Sequence, residues 1–381
     1  MRFEFATATR IVFGPGCLAQ LGGIVREMGA SRPLVVTGGN ASRAGLVFEQ
    51  LKGAEVSRFS VAGEPTVDVV RRGAEAARDC DVVIAIGGGS VIDGGKAIAA
   101  LATNPGDVLD YLEVVGKGQP LQVAPLPFVA IPTTAGTGSE VTRNAVLGSP
   151  EHGVKASLRS AMMLAKVAIV DPELTYELPQ HVTASTGLDA LTQLIEPYVS
   201  LRANPLTDAL CVDGIRRAAV HLERAYTDGH NAEPRENMSL ASLFGGLALA
   251  NAGLGVVHGF AAPIGGMFDA PHGAVCAAVL PHGVEANIRA LRETAPGHPV
   301  LERYRQVAGV LTGNSDAPAE AAVPWIQSLC ERLGIPPLRT YGIEAGHIAD
   351  LVEKASKASS MKANPVVLTT AELRKVVEAA L

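Results

Sequence analysis

A parallel α/β sheet unit followed by an all-helical unit is the fold this 381-residue sequence predicts, and three observations carry that prediction. Apolar runs in the first half end in glycine-rich turns and alternate with helical spacing, the strand–turn–helix order of a parallel sheet. After about Pro179 the strand signals fade and long helical patterns follow one another. The composition is 48% hydrophobic but only 4% aromatic, so Ala, Val, Leu and Ile build the core, which suits helices packed on a parallel sheet.

In chain order, Pro33–Thr37 reads as a buried strand ending in Gly38-Gly39. Residues 81–86 form a second, ending in Gly87-Gly88-Gly89, and residues 127–131 a third, followed by Pro132-Thr133-Thr134. Between the first two, Val67–Asp79 has helical spacing with Arg71, Arg72, Glu75 and Arg78 as its wet face. Helices are predicted over 182–199, 206–227, 237–250, 317–333 and 371–380. The change at Leu178-Pro179 divides the chain into an α/β domain over 1–178 and an all-helical domain over 179–381.

The bulk properties exclude several functions. A net charge of −6 with no basic run argues against nucleic acid or an anionic membrane as the main partner. Met238–Phe268 contains no Asp, Glu, Lys or Arg and is long enough to span a bilayer. It also carries Asn251, His258 and seven glycines without flanking aromatic belts, so buried helices of a globular domain explain it better. The five cysteines are scattered, with no C-x-x-C pair, and read as buried thiols in a reducing compartment. The first residues lack the basic start and apolar core of a signal peptide, and a cytoplasmic location is expected.

Two turns point to a phosphate-bearing ligand. Gly87-Gly88-Gly89-Ser90 follows a strand and opens a helix, where bare backbone and free N–H groups suit a phosphate. The spacing is neither G-x-G-x-x-G nor a Walker A loop, since Ile92 and Ala97 break those patterns. Thr133, Thr134 and Thr137 lie in a second strand-end loop dense in hydroxyls and glycines. Two such loops favour a dinucleotide over chance turns. In the second half, Asp189 and Gln193 are four apart on a helical pattern and share a face. His258 and His272 follow downstream; a carboxylate and two imidazoles hold a divalent ion, and a carboxamide oxygen can complete the set. A histidine in an uncharged segment is also an ordinary core residue, so spacing alone leaves both readings open.

Five segments in order, Gly87–Asp93, Pro132–Thr142, Asp171–Leu174, Gly187–Leu191 and Pro271–Gly273, give the chain a resemblance to the iron-containing (group III) alcohol dehydrogenase family of the dehydroquinate-synthase-like superfamily. The resemblance implies an N-terminal α/β dinucleotide-binding domain and an all-helical C-terminal domain. It implies NAD or NADP bound by Gly38, Asn40, Gly88, Gly89, Ser90, Asp93, Thr133, Thr134, Thr137 and Lys155. It places Asp189, Gln193, His258 and His272 at the four metal-ligand positions, with Asp189, His258 and His272 as the catalytic set. The metal would be iron, zinc or another divalent ion, the substrate a small alcohol or aldehyde, and the assembly a homodimer or larger homo-oligomer.

Three departures from the family pattern stand out. Gln193 replaces a histidine, and a neutral oxygen ligand weakens the site for iron. Ala262 stands where the family often has a proton-relaying histidine. Asn40, Ser42 and Arg43 occupy a turn that often carries an NAD-selecting aspartate, which leaves NADP open. The expected reaction is direct hydride transfer aided by a Lewis-acid metal. A metal-independent reductase of the maleylacetate reductase kind, and a lyase of the dehydroquinate synthase kind, are the alternatives within the superfamily.

Overall fold

The computed structural model describes residues 2–39 and 44–381. Its chain forms two compact units, one of Ala6–Thr134 with Gly138–Glu177, the other of Leu178–Leu381 with short pieces ending at Phe5 and spanning Ala135–Thr137.

Among the described residues the first unit contains eight strands: β1 (Arg10–Phe13), β2 (Pro33–Thr37), β3 (Ser57–Ser60), β4 (Val82–Gly87), β5 (Phe128–Pro132), β6 (Asn144–Ser149), β7 (Val154–Arg159) and β8 (Val167–Val170). Six form a parallel sheet in the order β1-β8-β5-β4-β2-β3, and β6 and β7 pair as an antiparallel hairpin. Every residue of β2, β5 and β8 is buried, and so is β4 up to Ile86, which is why these strands read as unbroken apolar runs. The edge strands β1 and β3 are half exposed and polar in part, and carry no such run.

The helices of this unit are α1 (Leu21–Glu27), α2 (Ala44–Gln50), α3 (Val67–Ala76), α4 (Gly89–Leu101) and the short α5 (Val108–Tyr111). The Thr66 hydroxyl caps α3 by accepting from Val69 N at 3.3 Å. Helix α4 lies hard against the sheet: a Cβ on Gly95 would stand 2.7 Å from Ala85 Cβ and 2.9 Å from the Phe128 ring. The chain runs outward from β2 to β3 and then returns to lay β4 on the other side of β2. That reversal makes the carboxyl ends of β2 and β4 the place where a doubly wound sheet binds its ligand.

The second unit consists of α6 (Gln180–Val199), α7 (Pro205–Thr227), α8 (Ala232–Ala252), α9 (Val256–Met267), α10 (His272–Thr294), α11 (Pro299–Thr312), α12 (Ala322–Arg332), α13 (Ile348–Lys357) and α14 (Thr370–Ala380). Helix α6 is buried on all sides from Gly187 to Val199 and packs against α7, α8 and α10, with Asp189, Gln193 and Glu196 among its buried side chains. The uncharged stretch resolves into α8 and α9, bent by 98° across Gly253–Gly255. Among the described residues no single helix is long and apolar enough to cross a membrane.

Candidate functional site

The helical unit gathers four potential ligands from three helices. Asp189 comes from the middle of α6, His258 from the first turn of α9, and His272 and Cys276 from consecutive turns at the start of α10. Their donor atoms all lie within 4.8 Å of one another. Asp189 Oδ1 is 3.4 Å from His258 Nε2 and 3.8 Å from His272 Nε2. Cys276 Sγ is 3.7 Å from each of those ring nitrogens.

A second set of groups orients the first. Glu196 lies seven residues after Asp189 on the same face of α6. One of its carboxylate oxygens faces His258 Nδ1 at 2.7 Å; the other accepts from Val257 N at 2.7 Å, capping the start of α9. Asn364 accepts from Val256 N and exchanges amide hydrogen bonds with Asn287, which fixes the same helix end from the other side. Gly255 makes this possible, because a Cβ there would fall 2.8 Å from Asn364 Oδ1 and 2.9 Å from Glu196 Oε1. The Gln193 amide nitrogen donates to Asp189 Oδ2 at 3.1 Å, leaving Asp189 Oδ1 toward the imidazoles.

The electrostatics favour a cation here. Burial opposes charge on Asp189, yet His272, His258 and Cys276 hold its pKa below the usual carboxylate value. Burial also opposes charge on His258, but Cys276, Asp189 and Glu196 lift its pKa well above the ordinary histidine value. His272 is pushed up to about 9, chiefly by Cys276 and then by Asp189. Asp189 Oδ1 and Gln193 Oε1 are buried without a hydrogen-bond partner, a cost the fold carries only for a reason. A carboxylate, two imidazoles and a thiol around an orphaned oxygen match the donor chemistry of a divalent transition metal.

The five cysteines are free thiols, four of them buried, and burial raises Cys17 and Cys330 to about 12. Cys276 differs because its sulfur faces two imidazoles. The signal for it is a histidine and a cysteine four apart at a helix start; for Glu196 it is a third polar residue on the face of Asp189 and Gln193.

In the sheet unit, Gly38 stands at the carboxyl end of β2, Gly88 caps α4, and Gly89 and Ser90 form its first turn. Thr133 and Thr134 follow β5, with Thr133 N donating to Gly87 O at 2.9 Å. Adjacent strand ends thus bring Gly38, Gly88, Gly89, Ser90, Thr133 and Thr134 around the reversal of strand order, beside backbone amides that a helix start leaves for a phosphate. Thr137 falls in the segment Ala135–Thr137 that packs with the helical unit. Asn40, with Ser42 and Arg43, lies outside the described residues.

Asp93 is occupied internally. Its Oδ1 accepts from the Ser139 hydroxyl and pairs with Lys96 Nζ at 3.0 Å, and its Oδ2 accepts from Val146 N at 2.9 Å. Fully buried Lys96 also donates to Ser139 O and Thr142 Oγ1, so this pair ties the strand-end loop and the β6–β7 hairpin to α4. Lys155, on β7, pairs with Glu64 at 3.3 Å.

Comparison with known proteins agrees with both halves of the chain. Residues 8–172 match the family described as iron-containing alcohol dehydrogenase, and residues 183–381 match its C-terminal domain. A 1,3-propanediol dehydrogenase of Citrobacter freundii is 37% identical over 379 residues, covering 95% of each chain. A choline dehydrogenase of Bacillus subtilis (strain 168) is 36% identical over 374 residues, covering 95% of this chain and 90% of its own. The solved sulfoacetaldehyde reductase of Bifidobacterium kashiwanohense, in complex with NAD+, superposes with a TM-score of 0.87 at 31% identity, covering 99% of this chain and 98% of that one.

Proposed function

The chain belongs to the iron-containing alcohol dehydrogenase family and is an oxidoreductase acting on CH–OH groups; from that premise we propose that it interconverts a small alcohol and its aldehyde or ketone using a nicotinamide dinucleotide and a divalent metal. The observation that carries the metal assignment is the cluster of Asp189, His258, His272 and Cys276, in which the buried Asp189 Oδ1 faces two imidazoles yet has no hydrogen-bond partner.

In this reading Asp189, His258 and His272 hold the ion. When bound, a nicotinamide would provide the hydride chemistry and a divalent ion the Lewis acidity that the oxidation of an alcohol requires. Asp189 contributes the negative charge that offsets the ion. Glu196 fixes the ring of His258 so that Nε2, not Nδ1, faces the cluster. His272 is the open member, with 38% of its side chain exposed against 6% for His258 and 1% for Asp189. Substrate therefore approaches the cluster from the His272 side. Ala262 is exposed on α9 and has no group to move a proton, so water or a group other than residue 262 takes the hydroxyl proton.

Gly88, Gly89 and Ser90 would receive the pyrophosphate at the start of α4, with Gly38, Thr133 and Thr134 on either side. The sulfoacetaldehyde reductase solved with NAD+ supports NAD as the ligand of these turns. Asp93 acts one step back, bracing the loop, and Lys155 stands paired with Glu64.

Elemental analysis paired with an alcohol-oxidation assay before and after chelation tests the reading. The expected outcome is about one divalent ion per chain, with activity lost on chelation and restored when the ion is returned. Full activity in metal-free protein overturns the metal assignment and leaves a metal-independent reductase.

A further inference from the structure

The family pattern predicts Gln193 as the fourth ligand, but the geometry points elsewhere. We propose that Cys276 is the fourth metal ligand, giving an Asp189–His258–His272–Cys276 site, and that Gln193 orients Asp189 from outside it. The proposal rests on the metal-dependent reading above and refines its ligand set.

Distances carry the argument. In a tetrahedral site with metal–nitrogen and metal–oxygen bonds of ~2.0–2.2 Å and a metal–sulfur bond of ~2.3 Å, donor atoms stand about 3.3–3.7 Å apart. Three of the six donor–donor distances fall in that range, Asp189 Oδ1 to His258 Nε2 at 3.4 Å and Cys276 Sγ to the Nε2 of His258 and of His272 at 3.7 Å each, and Asp189 Oδ1 to His272 Nε2 lies just beyond it at 3.8 Å. The two remaining pairs are within 4.8 Å. Both imidazoles turn Nε2 to Asp189 Oδ1 and Cys276 Sγ, and Glu196 holds the far nitrogen of His258, as an outer partner of a metal-bound histidine does.

Gln193 is arranged differently. Its amide nitrogen, which cannot coordinate, donates to Asp189 Oδ2 at 3.1 Å, and its Oε1 is buried without a hydrogen-bond partner, so Cys276 is assigned on the sulfur's distances to the two imidazoles. The hydrogen bond from Gln193 occupies Asp189 Oδ2 and leaves Oδ1, which has no hydrogen-bond partner, facing the two imidazoles at 3.4 and 3.8 Å. Coordination by Cys276 releases its proton to solvent and forms a metal–sulfur bond; no electron moves. A thiolate is softer than the imidazole that the family carries at position 193, so the site should prefer zinc or cobalt(II) over iron(II) more strongly than an all-imidazole site does.

Cobalt(II) loading of the metal-stripped full chain, followed by absorption spectroscopy, tests the ligand set without an activity readout. The expected spectrum has visible bands of four-coordinate cobalt(II) together with a strong thiolate-to-cobalt charge-transfer band in the near ultraviolet. Cys276→Ser should lose the charge-transfer band and weaken zinc binding by more than about 100-fold. Gln193→Ala should keep the band and lose only the ~10–100-fold typical of an outer partner. Bound cobalt without the charge-transfer band in the unaltered chain overturns Cys276 as ligand and leaves the metal-dependent reading intact. A band that persists in Cys276→Ser also overturns it. Failure of the unaltered chain to bind cobalt or zinc at all overturns both.

Discussion

The two units build their binding features from different material. In the sheet unit, the proposed phosphate-binding features are backbone: glycines that carry no Cβ at the ends of β2 and β4, and the first amides of α4. In the helical unit the candidate metal cluster is entirely side chains, drawn from α6, α9 and α10 and buried where each must be charge-matched or hydrogen-bonded. A backbone site is specified over a few consecutive residues and tolerates changes in side chains. A side-chain site is specified across 88 positions, from Asp189 to Cys276, and loses function when one donor is removed.

The sharpest test of that difference is His258→Ala, the single change with the largest expected effect. It removes one imidazole and leaves Glu196 buried without its ring partner. Turnover should fall by at least about 100-fold, because the Lewis-acid contribution is worth several kcal/mol. Dinucleotide binding, followed by quenching or enhancement of nicotinamide fluorescence, should be unchanged. Normal turnover with normal metal content would remove His258 from the site, and loss of dinucleotide binding would show that the two features are not independent.

Glu196→Gln probes the next layer. The neutral amide still fits beside Asn364 and Val257 N, but it no longer offers a carboxylate to His258 Nδ1. Metal affinity should drop by ~10–100-fold, measured by competition with a chromophoric chelator, while turnover at saturating metal changes much less. An unchanged affinity would mean that Glu196 serves only to cap α9.

The contrast between the units also explains what can be read from the chain. β2, β4 and β5, their glycine turns and the helix after β4 are local in sequence, so apolar runs and breakers are enough to place them. β1 and β3 escape because edge strands are half exposed and need no continuous apolar run. Asp189, His258 and His272 are legible through family likeness, since no periodicity says that α6, α9 and α10 converge. Cys276 and Glu196 are each in helical register with a recognised ligand, yet only the folded chain shows that both face the cluster. Asp93 reads as a ligand contact in the glycine turn, whereas the structure spends both its oxygens on Ser139, Lys96 and Val146.

The smallest expected effect completes the comparison. Ser90 sits in the first turn of α4, where the amides and the helix dipole, not the hydroxyl, attract phosphate. Ser90→Ala keeps the backbone and the helix start and removes at most one neutral hydrogen bond, worth about 0.5–1.5 kcal/mol. The KM for dinucleotide should therefore rise by no more than about 10-fold, with kcat and metal content unchanged. A rise beyond about 100-fold would show that this turn also depends on its side chain, and the division between a backbone-built and a side-chain-built unit would not hold at its most favourable position.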